Sequence, residues 1–247
     1  MKTEDEQLAA RSRRAFLTMG AAALAGYGGW SWLRSRYHDH GLPGPLRSVL
    51  RFNERIAEGF FSDAHRMPEF ALSAVVNPET RVNGDIGLGG DFDPAAWKLE
   101  VRNGNAEPSR VSLSEIQQLP RVEQITELNC IEGWTEVVQW AGVRFRDFTA
   151  KYVPAFAAAS ALYVRLDTPD EEYFVGLDAA SALHPQTLLC FEMNGKPLTI
   201  AHGAPLRLVI PVKYGVKNVK RIGKITYTSE RPDDYWANQG YDWYAGL

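Results

Sequence analysis

Cys130 stands in the run Asn129-Cys130-Ile131-Glu132-Gly133-Trp134, at the end of a strand-like segment and beside a glycine. A thiolate there suits a soft metal or a nucleophilic attack, and the nearby Glu132 carboxyl suits proton transfer. The plain alternative is a buried thiol acting as a small apolar side chain. For Cys190, inside Leu188-Leu189-Cys190-Phe191, that apolar reading is the better one. Two cysteines cannot hold a four-thiolate iron–sulfur cluster or frame a disulfide scaffold, and no C-x-x-C-H haem site is present. A redox role would therefore need an electron partner on another chain.

The second feature is a charge bias. Residues 193–229 contain Lys196, Arg207, Lys213, Lys217, Lys220, Arg221 and Lys224 but no Asp or Glu. Gly203, Gly215 and Gly223 fall among them and allow close backbone approach to a ligand. Such a stretch suits a phosphorylated anion, held by side-chain charge and backbone N–H groups; a basic sheet face is the alternative. Core-type residues between the cations (Val209, Ile210, Ile222) and a net charge of -3 argue against nucleic acid. In His202-Gly203-Ala204-Pro205-Leu206-Arg207, a histidine, a glycine and an arginine meet at the start of a strand and can share one ligand.

Short strands and short helices must position these residues. Strands are expected over 97–101, 122–131, 161–166, 173–177, 187–193, 196–200, 206–210 and 219–228. Asn194-Gly195 marks a two-residue hairpin, and Asn103-Gly104 a turn. Ser112-Leu113-Ser114-Glu115 has capping-box form, and Asp178 caps a brief helix before His184-Pro185. Val143 is expected to begin an amphipathic piece with Phe145, Phe148 and Tyr152 inward. Ser48–Gly59 has apolar Val49, Leu50, Phe52 and Ile56 at helical spacing, and 83–93 is a Gly- and Asp-rich loop. The order is α+β, with no dinucleotide fingerprint and no Walker loop.

The N-terminus reads as an address. Ser12-Arg13-Arg14-Ala15-Phe16-Leu17-Thr18 has twin-arginine form, and no charge occurs from Ala15 to Leu33. Residues 1–36 are assigned to an export signal, or to an uncleaved anchor near the minimum length of a span, and 37–247 to the working domain. That route carries folded proteins to the periplasm and suits a chain loaded with a bulky cofactor beforehand.

These residues taken in order resemble a known family. Cys130-Ile131-Glu132-Gly133-Trp134 followed by Val137-Val138-Gln139-Trp140-Ala141-Gly142-Val143 is similar to the molybdenum-binding segment of sulfite-oxidase-type molybdopterin enzymes. Thr168, His184-Pro185, Asn194-Gly195, the His202–Arg207 run and Lys213-Tyr214-Gly215 through Lys220 follow in the family's order, over about 80–230. The resemblance is strongest to the branch of periplasmic reductases that repair methionine sulfoxide. It implies a single-domain, mixed β-rich sulfite-oxidase-type fold, a molybdenum–molybdopterin cofactor and oxygen-atom transfer. It makes Cys130 the metal ligand and gives Asn83, Thr168, His202 and Arg207 contacts to the pterin and its phosphate. Asn218, Val219 and Lys220 would close on the phosphate. His202 departs from the repair branch, which has asparagine there, and agrees with the sulfite oxidases. Implied partners are a methionine-sulfoxide-type substrate and a separate electron carrier such as a membrane haem protein; the chain is expected to be monomeric.

Glu132 bears on the substrate. A carboxylate beside the metal repels sulfite and tolerates a neutral sulfoxide or N-oxide, and in protonated form it serves as a general acid. An arginine reaching the site, with Arg81 and Arg165 the candidates, would reverse that preference toward sulfite. The other readings are a cysteine hydrolase pairing Cys130 with His202 or His184, and a non-catalytic anion-binding module.

Overall fold

Alternating apolar side chains build the strands, and two sheets supply most of the core. The computed structural model describes residues 4–104, 106–157 and 163–247. In chain order the strands are β1 (His38–Asp39), β2 (Leu42–Pro43), β3 (Leu99–Asn103), β4 (Ser109–Val111), β5 (Arg121–Asn129) and β6 (Thr135–Arg144). They continue with β7 (Tyr163–Asp167), β8 (Phe174–Asp178), β9 (Leu188–Met193), β10 (Lys196–Pro197), β11 (Arg207–Val209) and β12 (Lys224–Thr228). The helices are α1 (Glu4–Arg34), α2 (Gly44–Phe60), α3 (Leu113–Ile116), α4 (Phe145–Tyr152), α5 (Pro154–Ala157), α6 (Ala179–Ala182) and α7 (Tyr235–Asn238).

Met1–Arg51 is one unit, comprising α1, the β1–β2 hairpin and the start of α2. In it Asp39 pairs with Arg47 at 3.4 Å and Arg51 at 3.1 Å. The uncharged run Ala15–Leu33 lies within α1, with Phe16, Leu24 and Trp30 exposed. Among the described residues no helix is long and apolar enough to cross a membrane. Val49, Phe52 and Ile56, at helical spacing on α2, are exposed.

Phe52–Leu247 is the second unit and carries both large sheets. One has the order β10-β9-β6-β5, with β11 also paired to β9; every pairing in it is antiparallel. The other has the order β4-β3-β12-β7-β8, with β3 and β12 parallel. The main core joins both through Leu99, Val143, Phe145, Leu166, Leu177, Leu208, Ile225 and Tyr227. A smaller cluster packs Trp140, Cys190, Met193 and Val209.

The α+β reading holds. The capping box at Ser112–Glu115 is formed on both sides, and Asn194 and Gly195 take φ 49° and 72°, as a primed hairpin turn requires. Asp178 caps α6 through Ser181 N at 2.8 Å. Other boundaries differ. β12 starts at Lys224, because the backbone turns at Arg221, with φ 48°, instead of extending over 219–223. Ile200 lies in a 3-10 turn, not in β10. Val143 still lies in β6, which ends at Arg144, and the helix begins at Phe145. β6 itself was not expected; Trp140, Ala141, Gly142 and Val143 are buried at consecutive positions, so the segment lacks the alternation that marks a strand. Two residues of the strand expected at 161–166 lie outside the described residues.

Candidate active site

β5 and β6 pair from Arg121↔Val143 to Asn129↔Thr135 and are joined by 130–134. Cys130 N donates to Trp134 O at 2.9 Å and Gly133 N to Cys130 O at 3.0 Å. Gly133 takes φ 89°, open to a residue without Cβ. This tight end lifts Cys130, Glu132 and Trp134 into a cleft of about 1030 Å³. The opposite walls come from the 80–86 loop (Thr80, Arg81, Asn83, Gly84, Ile86), from His202 and Arg207, and from Gly215, Val216, Asn218 and Lys220. Tyr173 and the tail residues Trp236 and Tyr241 complete it.

Of the expected site residues, the structure brings Asn83, Cys130, Glu132, His202, Arg207, Asn218 and Lys220 to this cleft. Thr168 does not line it. Thr168 is 1% exposed, packs where a Cβ on Gly87 would fall, and donates through Oγ1 to Asp170 Oδ1 at 2.6 Å. The Val219 side chain is fully buried in the main core. Cys190 is buried on β9, and burial pushes its thiol far up, which fits an inert apolar filler.

The Cys130 thiol is partly exposed and accepts from Asn83 Nδ2 at 3.7 Å. Among the described residues no histidine bonds to it. His184 is buried away from the cleft, with Nε2 against His65 O at 3.2 Å. His202 Nε2 meets Glu79 O at 3.2 Å. Burial, then Arg207 and Lys220, hold His202 below the ordinary histidine range, so it is neutral at neutral pH.

Arg207 is 3% exposed. It stacks on Trp140 at 4.6 Å and donates from one Nη to His202 O at 3.2 Å. Its Nε is buried and has no hydrogen-bond partner among the described residues. Burial lowers the guanidinium to about 10, so it stays charged at neutral pH. An unpartnered buried donor costs about 1–3 kcal/mol, a cost that an incoming anion removes. Lys220 is lowered to about 8, by burial first and then by Arg207. Asn218 accepts from Ile210 N at 2.9 Å through Oδ1 and donates through Nδ2 to Tyr214 O at 3.3 Å.

The mouth is mixed in charge. Glu132 is exposed and accepts from Trp134 Nε1 at 3.0 Å. Arg81 lies over the Trp134 ring at 4.7 Å, and its N donates to Glu136 at 2.8 Å. Arg165 is instead tied to Asp167 at 2.7 Å and lies over Phe174, outside the cleft. Sequence reasoning missed Tyr173, Trp236 and Tyr241. The available signal was Asp234, whose Oδ1 caps α7 through Trp236 N and Ala237 N, each at 3.1 Å, and so turns the tail back toward the site.

A family model described as oxidoreductase molybdopterin binding domain matches residues 87–236. The putative protein-methionine-sulfoxide reductase subunit YedZ1 of Azospira oryzae is 32% identical over 210 residues, 84% of this chain and 78% of that protein. The protein-methionine-sulfoxide reductase catalytic subunit MsrP of Campylobacter jejuni is 34% identical over 181 residues, 66% of this chain and 60% of that one. The sulfane dehydrogenase SoxCD of Paracoccus pantotrophus overlays with a TM-score of 0.49 at 16% identity, covering 57% of this chain and 40% of that one. The Cys130 thiol and the Arg207 guanidinium, with its unpartnered Nε, line one cleft, and the chain belongs to the oxidoreductase molybdopterin binding domain family.

Proposed function

We propose that this chain is the catalytic unit of a periplasmic sulfoxide reductase, with Cys130 as the protein ligand to molybdenum–molybdopterin. The carrying observation is the meeting of the Cys130 thiol with Asn83, His202, Arg207, Asn218 and Lys220 around one cleft. The cofactor, when bound, supplies two electrons and an acceptor for the substrate oxygen. The chain supplies everything else. Cys130 gives a soft thiolate, oriented by the Asn83 amide. The Arg207 guanidinium offers its free Nε to the anionic end of the pterin. His202 stays neutral and fixes the Glu79 turn. Trp134, Trp236 and Tyr241 shed water from the mouth. Glu132, at the rim, would supply one of the two protons that the release of the substrate oxygen as water requires, the other coming from solvent.

The name of the Campylobacter relative supports a methionine-sulfoxide-type substrate. The name of the Azospira relative, a reductase subunit, supports a separate electron-delivering partner. Residues 1–36 act as the twin-arginine signal; Arg13→Lys with Arg14→Lys is expected to trap the protein in the cytoplasm on cell fractionation. A second reading, sulfite dehydrogenation, is favoured by one observation: Arg81 does line the cleft and offers charge to a dianion.

The test is metal analysis of protein expressed with its signal in a host that makes the pterin. About one molybdenum per chain is expected in the wild type. In Cys130→Ser, sulfoxide reduction is expected to fall by at least about a thousandfold, with an altered metal spectrum. Rapid sulfite oxidation with no turnover of sulfoxides would select the second reading. Folded wild-type protein without molybdenum would remove both.

A further inference from the structure

A Gly-rich loop without strand or helix must still satisfy its backbone carbonyls. In 83–93 the carbonyls of Asn83, Gly84 and Leu88 do so through side chains from one distant turn. Lys220 Nζ donates to Asn83 O at 2.8 Å, Gly84 O at 2.9 Å and Ala201 O at 3.0 Å. Those three bonds use every proton of the ammonium. Arg221 takes φ 48°, which swings it to the same loop, where it donates to Leu88 O at 2.9 Å and stacks on Phe92 at 4.3 Å. Gly203 permits this turn, since a Cβ there would stand 2.6 Å from Arg221 N. Both cations thus act on the carbonyl side of the loop that carries Asn83, whose amide meets the Cys130 thiol.

We propose that Lys220 and Arg221 form a clasp that positions Asn83 against Cys130: they are positioning residues that act on the metal ligand through the 83–88 backbone. Lys220 fastens the end of the loop next to the thiol, and Arg221 fastens the far end. The assignment rests on the proposed molybdenum function for its consequence, while the clasp itself rests only on these contacts. Removal of either cation frees the loop, lets the Asn83 amide leave the sulfur, and changes the electronic environment of the metal ligand.

The test uses holoenzyme of the wild type, Lys220→Met, Lys220→Arg and Arg221→Gln. Hydrogen exchange is followed by mass spectrometry for peptides covering 80–92, with β5–β6 and β9 peptides as internal reference. The molybdenum(V) resonance spectrum is recorded beside it. Exchange in 80–92 is expected to rise at least about tenfold in Lys220→Met and Arg221→Gln with the sheet peptides unmoved. The resonance is expected to shift in both, and Lys220→Arg, which can still donate to carbonyls, is expected to restore part of each signal. Unmoved exchange in 80–92 overturns the clasp. Faster exchange with an unmoved resonance overturns the positioning role and leaves a merely structural one. If Lys220→Met does not fold, Arg221→Gln and Lys220→Arg decide between the same outcomes. Wild type without molybdenum sinks the proposed function and the positioning role together, while the exchange data still judge the clasp.

Discussion

At the scale of the residue, Arg207 shows how a binding group differs from a stabilising one. Its guanidinium is buried, its Nε is unpartnered, and burial is what lowers its pKa. Arg207→Met keeps most of the length and removes the desolvated charge. We expect the cofactor-free variant to be as stable as wild type, or more so, in urea unfolding. We expect molybdenum retention on dialysis to fall about ten- to a hundredfold, the worth of one or two charge-assisted hydrogen bonds. Loss of stability in the cofactor-free protein, without loss of metal, would make Arg207 a structural partner of Trp140 instead. The sequence presented Arg207 and His202 as ligand residues from their place beside a glycine. It also presented seven cations as one anion pocket, and there the structure divides them. Lys217 donates to Gly176 O at 2.9 Å and to Asp234 at 2.6 Å, and Arg221 serves the 83–93 loop. Lys224 is paired with Glu171. Their partners come from other segments, and no window of sequence contains them.

At the scale of the element, the β5–β6 hairpin positions the thiol, and its accuracy depends on the seam with β9. The register between β6 and β9 shifts between Ala141 and Gly142. A Cβ on Gly142 would lie 2.1 Å from Leu189 O and 2.7 Å from Cys190 Cα, both rigid backbone atoms. Gly142→Ala is therefore expected to cost roughly 3 kcal/mol or more, above the common range for overpacking, read as a lower midpoint in thermal unfolding. A midpoint within a degree of wild type would show that the bulge yields. This glycine also explains a missed strand. β9 lies so close here that Trp140 to Val143 are buried in succession, so 135–144 lacks the alternation by which a half-exposed strand is recognised. The parallel β3–β12 pair was hidden for another reason. It joins residues more than a hundred positions apart, and neither strand carries a local mark of its neighbour.

At the scale of the whole molecule, the C-terminal strap closes the Phe52–Leu247 unit over a lysine that titrates near neutrality. Lys213 is 1% exposed, bridges Gly246 through its backbone, and has Nζ over the Tyr244 ring. The nearest carboxylate oxygen, on Asp178, is 3.9 Å away, and Nζ has no hydrogen-bond partner among the described residues. Asp242 and Glu58 also favour its charge and Lys217 opposes it, but burial dominates and lowers the group from 10.5 to about 7. The sign follows from proton counting. Between pH 7 and 10.5 the unfolded chain still holds this proton and the folded chain has released it, so stability from this group rises with pH across that window. Below pH 7 both states are charged and the full desolvation cost stands. Lys213→Met, apolar and of similar length, is expected to stabilise the protein by roughly 1–4 kcal/mol at pH 6. The gain should shrink steadily between pH 7 and 10.5, in urea midpoints measured across that range. A variant less stable than wild type at pH 6 would mean that the Tyr244 ring and Asp178 outweigh burial. The strap would then be held by charge, and it should loosen, with Trp236 and Tyr241 beside the cleft, as the pH rises instead of tightening.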